Sequence, residues 1–149
     1  MNQLELEFRR ELTTKMQGLW TPTIHVENHL NPGVPDLSYV MTRVTPDCET
    51  GWLELKALTD AKMVTVKVER SQHQWMTIHA SRIPADFLIL IGDWCYLVDG
   101  VNHRRLLGTV HVTDDLLQIS NLVFHRSKIR EMLPSTLIAK TIRGRNGKA

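Results

Sequence analysis

The feature that most constrains this chain is a pair of charges inside an apolar run. Residues 52–58 read WLELKAL, placing Glu54 and Lys56 where a buried strand normally carries no charge. Side chains alternate faces along a strand, so Glu54 and Lys56 share one face, roughly 7 Å apart, while Leu53, Leu55 and Ala57 take the other. Upstream, residues 31–36 read NPGVPD, a turn that ends on Asp36 at the head of a second apolar run, Leu37 to Met41. A turn-rich insert with Pro46, Asp47 and Gly51 joins the two runs. If the runs pair as neighbours, Asp36 comes near Glu54 with Lys56 beside them. Two carboxylates held together are costly unless a cation sits between them, and a hard divalent metal with oxygen ligands fits that need. The bland alternative is a hairpin whose charged face points at water, since an acid-x-Lys triplet is common by chance.

The 149 residues fit a single domain with a genuine core. No apolar run approaches a membrane span, and the alternation of charge and leucine from Met1 to Gly18 resembles neither a signal peptide nor a transit sequence. The expectation is a cytoplasmic protein (host cytoplasm for a viral one) with no membrane partner. Cys48 and Cys95 lack metal-like spacing and read as two free thiols in a reducing compartment. The net charge of +2 hides an asymmetry: residues 126–149 hold 7 basic residues against 1 acid. Residues 140–149, KTIRGRNGKA, therefore read as a basic tail on a domain spanning 1–139, either solvated disorder or a phosphate-binding arm.

Along the chain, Phe8, Leu12, Met16 and Leu19 recur at helical spacing and predict a helix from Asn2 to Gly18. Thr23 to Glu27 alternates as a strand, which places His25 and His29 too far apart for a helical zinc pair. Met63 to Val68 alternates again, and a helix opens at Ser71 with Trp75 and Ile78 on its inner side. Asp86 to Ile91 is a continuous apolar strand of a sheet interior, and Trp94 to Val98 returns after the Gly92-Asp93 turn. Beyond Gly100 the pattern weakens: a strand within Leu106 to Val112, a cap at Thr113-Asp114-Asp115, and a basic helix from Ser127 to Leu133 broken at Pro134. This order argues an α+β fold with a mixed central sheet. No Gly-rich phosphate loop and no Ser/His/Asp or Cys/His triad is apparent.

Taken in order, GVPDL, GWLELKA and SQHQW resemble the PD-(D/E)xK nuclease superfamily, and within it the virus-type replication-repair nuclease (VRR-NUC) domains and Holliday-junction resolvases. The likeness spans roughly Glu5 to Gly100, and departs from the family at residues 63–68, where a short Gly-containing connection is more usual. It implies a restriction-endonuclease-like core, a mixed sheet flanked by helices. It further implies Mg²⁺, with Mn²⁺ as a substitute, held by Asp36, Glu54 and the Leu55 carbonyl, with Lys56 handling the attacking water and the charge on phosphorus. Related nucleases carry an acid on their first helix about two dozen residues earlier; Glu11 precedes Asp36 by 25, with Glu7 as its substitute. Gln72 takes the place of the helix-start glutamine.

The function so implied is an Mg²⁺-dependent DNA endonuclease, structure-selective for branched DNA or Holliday junctions, in replication, recombination or repair. Lys140, Arg143, Arg145 and Lys148 of the tail would then contact DNA phosphates. Symmetric junction cutting would call for a homodimer, with the apolar residues between Leu116 and Leu137 as interface or, alternatively, as the back of the sheet. Other readings stay open: a nicking or sequence-specific nuclease, a non-cleaving DNA-binding protein of the same fold, a metal enzyme acting on another substrate, or an interaction protein.

Overall fold

The structure, a computed structural model, describes residues 2–26, 30, 32–42 and 48–142. The chain opens with α1 (Gln3–Lys15), followed by β1 (Trp20–Ile24), β2 (Leu37–Met41), β3 (Gly51–Leu58) and a short β4 (Met63–Thr65). Then come α2 (Arg70–His79), β5 (Ala85–Ile91) and β6 (Trp94–Asp99). A 3-10 segment, Gly100–Leu106, leads to β7 (Thr109–His111), a π turn at Val112–Leu116 and the single-turn α3 (Leu117–Ile119). β8 (Ser120–His125) and α4 (Ile129–Thr141) close the fold.

Six strands form one mixed sheet in the order β1-β2-β3-β5-β6-β8, with β3 and β5 parallel and the other neighbours antiparallel. The fold is α+β, with this sheet flanked by helices. β2 lies alongside Gly51–Leu53 and β5 alongside Trp52–Leu58 of β3, and β4 joins neither edge. It pairs instead with β7 as a separate two-stranded ribbon, and the alternating run over 63–68, which suits a strand or an extended loop, is strand as far as Thr65.

The period of two sorts the sheet into two cores. Leu53, Leu55, Ala57, Leu88, Leu90, Cys95 and Leu97 face α1 and α4, where Phe8, Leu12, Leu133 and Leu137 meet them. Phe8 and Leu12 are fully buried, each worth about 1.5–3 kcal/mol by area removed from water. On the opposite face Phe87, Ile89, Ile91 and Val98 meet Met76 and Ala80 of α2 and Val64 and Val110 of the ribbon.

Local chemistry sets the helix ends. Asn2 caps α1 by accepting from the Glu5 N–H while Glu5 accepts from the Asn2 N–H, a reciprocal capping box. Gly18, at φ 83°, turns the chain into β1, three residues earlier than the alternation at 23–27 suggests. α2 begins at Arg70 with Glu69 as its cap and Gln72 as the reciprocal partner, so Ser71 is not the cap, and Ile78, expected on the inner side, is exposed while Met76 takes that side. The expected cap at residues 113–115 is supplied by the His111 side chain, which accepts from the Asp114 N–H.

Pro134 does not break the last helix; it lies inside α4, which runs on to Thr141. The cost is one backbone hydrogen bond near the helix start, while Ile129, Leu133 and Leu137 bury completely on the sheet. A boundary between a domain at 1–139 and a tail at 140 therefore cuts a packed helix. The same burial takes Leu116, Phe124, Ile129 and Leu133 out of the expected homodimer surface: they close the sheet, and among the apolar residues of that range Leu117 and Met132 are exposed, at 44% and 40%.

Candidate active site

β2 begins with Leu37 opposite Leu53, so Asp36 stands one residue before the pairing starts, level with Glu54. Its backbone carbonyl accepts from the His25 N–H at 2.8 Å, and its side-chain Oδ2 accepts from the Leu55 N–H at 2.8 Å. A strand residue turns its N–H and C=O to the same side, so the Leu55 carbonyl faces the same gap that Asp36 enters. The sequence-derived trio of Asp36, Glu54 and the Leu55 carbonyl thus shares one edge of β3.

Glu54 and Lys56 lie on the α2 face of β3 and are 3% and 6% exposed; Gln72, in the first turn of α2, is 8% exposed. The Gln72 Nε2 donates to Glu54 Oε2 at 2.8 Å, and its Oε1 accepts from Lys56 Nζ at 3.0 Å and from the Glu69 N–H at 2.9 Å. This fixes the amide's orientation from three sides. Lys56 Nζ also donates to the Lys67 carbonyl at 2.6 Å and lies 3.3 Å from Glu54 Oε2. Glu54 Oε1, by contrast, is buried without a hydrogen-bond partner.

Gly33 explains how the Asp36 turn reaches this helix. It sits at φ 79°, and a Cβ there would fall 2.1 Å from the Ser71 carbonyl oxygen. Only a glycine allows both the left-handed backbone and this approach to α2. The Pro-Gly turn is visible in the sequence, but its packing against α2 is not.

Electrostatically the site is short of positive charge. Burial pushes the Glu54 carboxyl up to about 8, and the nearby Asp36 charge adds to the push beyond what Lys56 offsets. Asp36 is also raised by burial, partly countered by the Leu55 N–H and Lys56. A cation placed between the two carboxylates would reverse both shifts. Among the described residues no group of three or more His, Cys, Asp and Glu stands together as a metal cage. Two carboxylates, a carbonyl and retained waters suit Mg²⁺, which sheds its waters reluctantly.

The first-helix acid is where the structure departs from expectation. Glu11 is tied to Lys15 Nζ at 2.7 Å and to the Arg126 guanidinium through Nε and Nη2. Burial works to raise its carboxyl, but Arg126 and Lys15 outweigh it and hold the pKa below its usual value. Glu11 is thus a helix-to-helix-turn clasp. Glu7 is exposed and takes no part. The helix acid whose charge reaches both Asp36 and Glu54 is Glu5. A signal for it was present: Glu5, Phe8 and Leu12 stand at i, i+3 and i+7, so Glu5 extends the buried stripe toward the sheet.

The basic tail divides. Lys140 is inside α4, with Nζ 3.0 Å from Asp86 Oδ1 and 3.3 Å from Asp99 Oδ2, so it holds the helix to the sheet and is not a free phosphate contact. Arg143, Arg145 and Lys148 lie outside the described residues, as does His29. His25 stacks on Trp52 with ring centroids 5.1 Å apart and bonds Ser38 Oγ at 2.8 Å. No helix is long and apolar enough to cross a membrane among the described residues. Comparison with protein-family models, with curated proteins and with solved structures finds no match to this chain.

Proposed function

We propose that this protein is a divalent-metal-dependent endodeoxyribonuclease of PD-(D/E)xK type, with a restriction-endonuclease-like arrangement and a preference for branched DNA. The observation that supports it most is the pairing of Asp36 with Glu54 across neighbouring strands, with Lys56 on the Glu54 face and Glu54 Oε1 buried without a partner. A buried, unpartnered carboxylate oxygen beside a second raised carboxylate is a cost that a bound cation would remove.

Asp36, Glu54 and the Leu55 carbonyl would hold Mg²⁺ or Mn²⁺, and Glu5 would add negative charge at a distance. Bound there, the cation would lower the pKa of a water and neutralise charge on the scissile phosphate. Lys56, clamped by the Lys67 carbonyl and Gln72, presents its ammonium to the phosphate and stabilises the added negative charge as the phosphorus becomes five-coordinate. Gln72 keeps Glu54 Oε2 and Lys56 in register, which leaves Oε1 turned toward the ligand.

The test is a panel of four-way junction, flap, nicked and linear DNAs incubated with Mg²⁺, Mn²⁺ or chelator, with cut positions mapped. Cation-dependent cuts in wild type that vanish in Glu54→Gln sustain the reading. Absence of cutting on every substrate with either metal, or cutting that persists in Glu54→Gln, overturns it.

A further inference from the structure

We infer that the cavity between α2 and the Gly100–Leu106 segment is a subsite for one unpaired nucleotide of the substrate strand, a conclusion that rests on the nuclease reading and sharpens it. The cavity is about 700 Å³ and is lined by Val68, Arg70, His73, Thr77, Arg104 and Leu107, among others. That volume lies in the range of small-molecule sites and accommodates one nucleotide, while a stacked base pair within a duplex has no way in.

Its chemistry is divided as a nucleotide is divided. Arg70 and Arg104 are exposed in its lining and form no ion pair among the described residues, two guanidiniums suited to phosphate oxygens. Leu107 and Ile78, 60% and 56% exposed, form an apolar wall for a base or sugar face. Leu107 and Ile78 are aliphatic, so they offer a base apolar contact in place of aromatic stacking, while the two arginines supply the phosphate contact that single-strand grooves use.

The inner wall adds a directional acceptor. Thr77 Oγ1 lies 2.9 Å from the His73 carbonyl, which can only accept, so the hydroxyl hydrogen is spent there. Thr77 must then accept from His103 Nε2 at 3.1 Å, which makes the neutral His103 an acceptor at Nδ1. His103 Nδ1 is 2.7 Å from His73 Nδ1, so His73 donates from Nδ1 and keeps a lone pair on Nε2. Burial, Arg104 and Lys56 all lower the His73 pKa and favour that neutral form. A base amino group or a sugar hydroxyl would meet an acceptor of fixed tautomer.

The cavity and the candidate site share α2. His73 follows Gln72 on α2, and the Lys56 charge is felt at His73. A strand with its scissile phosphate at Lys56 could therefore place a neighbouring nucleotide in the cavity, but only if that nucleotide is unpaired.

Binding of fluorescently labelled single-stranded, flap and blunt duplex DNA to the full chain tests this, in a Glu54→Gln background so that cutting plays no part. Adding Arg70→Ala with Arg104→Ala should weaken single-stranded and flap binding at least about tenfold and duplex binding less than about twofold. Leu107→Asp, a change at an exposed position, should reproduce the selective loss. Equal losses on all three DNAs would mark a generic phosphate patch and overturn the subsite, as would no loss. Because binding is measured without cleavage, a selective loss together with a wild-type chain that cuts none of these DNAs would sink the nuclease reading and leave the subsite standing.

Discussion

Glu54 with Lys56 and Asp86 with Lys140 are both lysine–carboxylate pairs buried on the central sheet, on opposite faces of neighbouring strands. Each has a second acid nearby, Asp36 in the first case and Asp99 in the second. Burial pushes Glu54 up to about 8 and Asp86 up to about 7. The difference is where the cation stands. Lys140 spans both of its carboxylates, and although burial opposes its charge, Asp86 and Asp99 outweigh that and raise its pKa. Lys56 reaches Glu54 but spends its hydrogen bonds on the Lys67 carbonyl and Gln72, and no ion pair joins it to Asp36 among the described residues. A buried carboxylate beside a lysine is thus fastened on one face, while on the other Glu54 Oε1 is left without a hydrogen-bond partner.

The sharpest separation should come from neutralising one acid in each cluster. Glu54→Gln, or Asp36→Asn, should reduce metal-dependent cleavage to background, while Asp86→Asn keeps the rate per folded molecule. The stability signs can be worked out as well. Glu54 binds its proton more tightly folded than unfolded, so the metal-free protein loses stability as pH rises from about 4.5 toward about 8. Glu54→Gln removes that loss and should raise Tm at pH 8 by several degrees, on the scale of about 1–2 kcal/mol. Mg²⁺ should raise the wild-type Tm at pH 8 more than at pH 5, and leave Glu54→Gln unmoved. Thermal melts across pH with and without metal measure all three; a pH-independent wild-type Tm would contradict the charge deficit.

Lys56 comes next. Lys56→Ala should slow single-turnover cleavage at least about a hundredfold, the scale for losing a positioned electrostatic group. Lys56→Arg should rescue poorly, since a planar fork cannot occupy the pocket of a compact ammonium gripped by the Lys67 carbonyl and Gln72. Near-normal turnover in Lys56→Arg would show that any cation there suffices, and the comparison with Lys140 would lose its point.

On the fastener side the effect is on stability. Lys140→Ala leaves Asp86 fully buried, with no aligned hydrogen bond to either oxygen, and removes its nearest cation. Removing one partner of a buried pair costs about 3–5 kcal/mol. Because the Asp86 pKa is already raised, the loss should deepen as pH climbs through about 7, where the folded protein must give up that proton. Urea denaturation at pH 5 and pH 8 checks both the size and the sign. Cleavage per folded molecule should stay at the wild-type level.

The sequence disclosed the first cluster and hid the second for a physical reason. Asp36, Glu54 and Lys56 come together because a strand's period of two and an antiparallel neighbour are local rules, readable from WLELKAL and PDL, whereas Gln72 is implied only by the resemblance of SQHQW. The α+β order and the buried β5 were legible in the same way. Lys140 meets Asp86 across 54 positions of chain, and its neighbours in KTIRGRNGKA look like a solvated tail. Pro134 reads as a stop until the burial of Leu133 and Leu137 against the sheet outweighs its missing N–H. Glu11 fitted a spacing but not a face, because Arg126, 115 residues away, claims it. The cavity beside α2 depends on the Gly100–Leu106 turn, in a region whose periodicity is too short to read.

The smallest expected effects concern the helix acids, and they test whether charge acts on the site from α1. Glu5 is half-buried and keeps its capping role as glutamine, since either side chain accepts from the Asn2 N–H. Glu5→Gln should therefore leave the helix intact while removing a negative charge felt at both Asp36 and Glu54. Its loss eases the repulsion that raises both carboxyls, yet also takes away part of the field that draws a cation in. The second effect governs at pH 9, above the value to which Glu54 is pushed, where the metal competes with few protons, so the Mg²⁺ concentration for half-maximal cleavage should rise about two- to fivefold with the saturated rate unchanged. Glu11→Gln should do the reverse. It breaks the Arg126 and Lys15 clasp and costs about 1–2 kcal/mol of stability, while the Mg²⁺ dependence stays put. A Mg²⁺ titration of cleavage for the two variants decides between them, and a shift in Glu11→Gln with none in Glu5→Gln would return the helix acid to the position that spacing alone suggested.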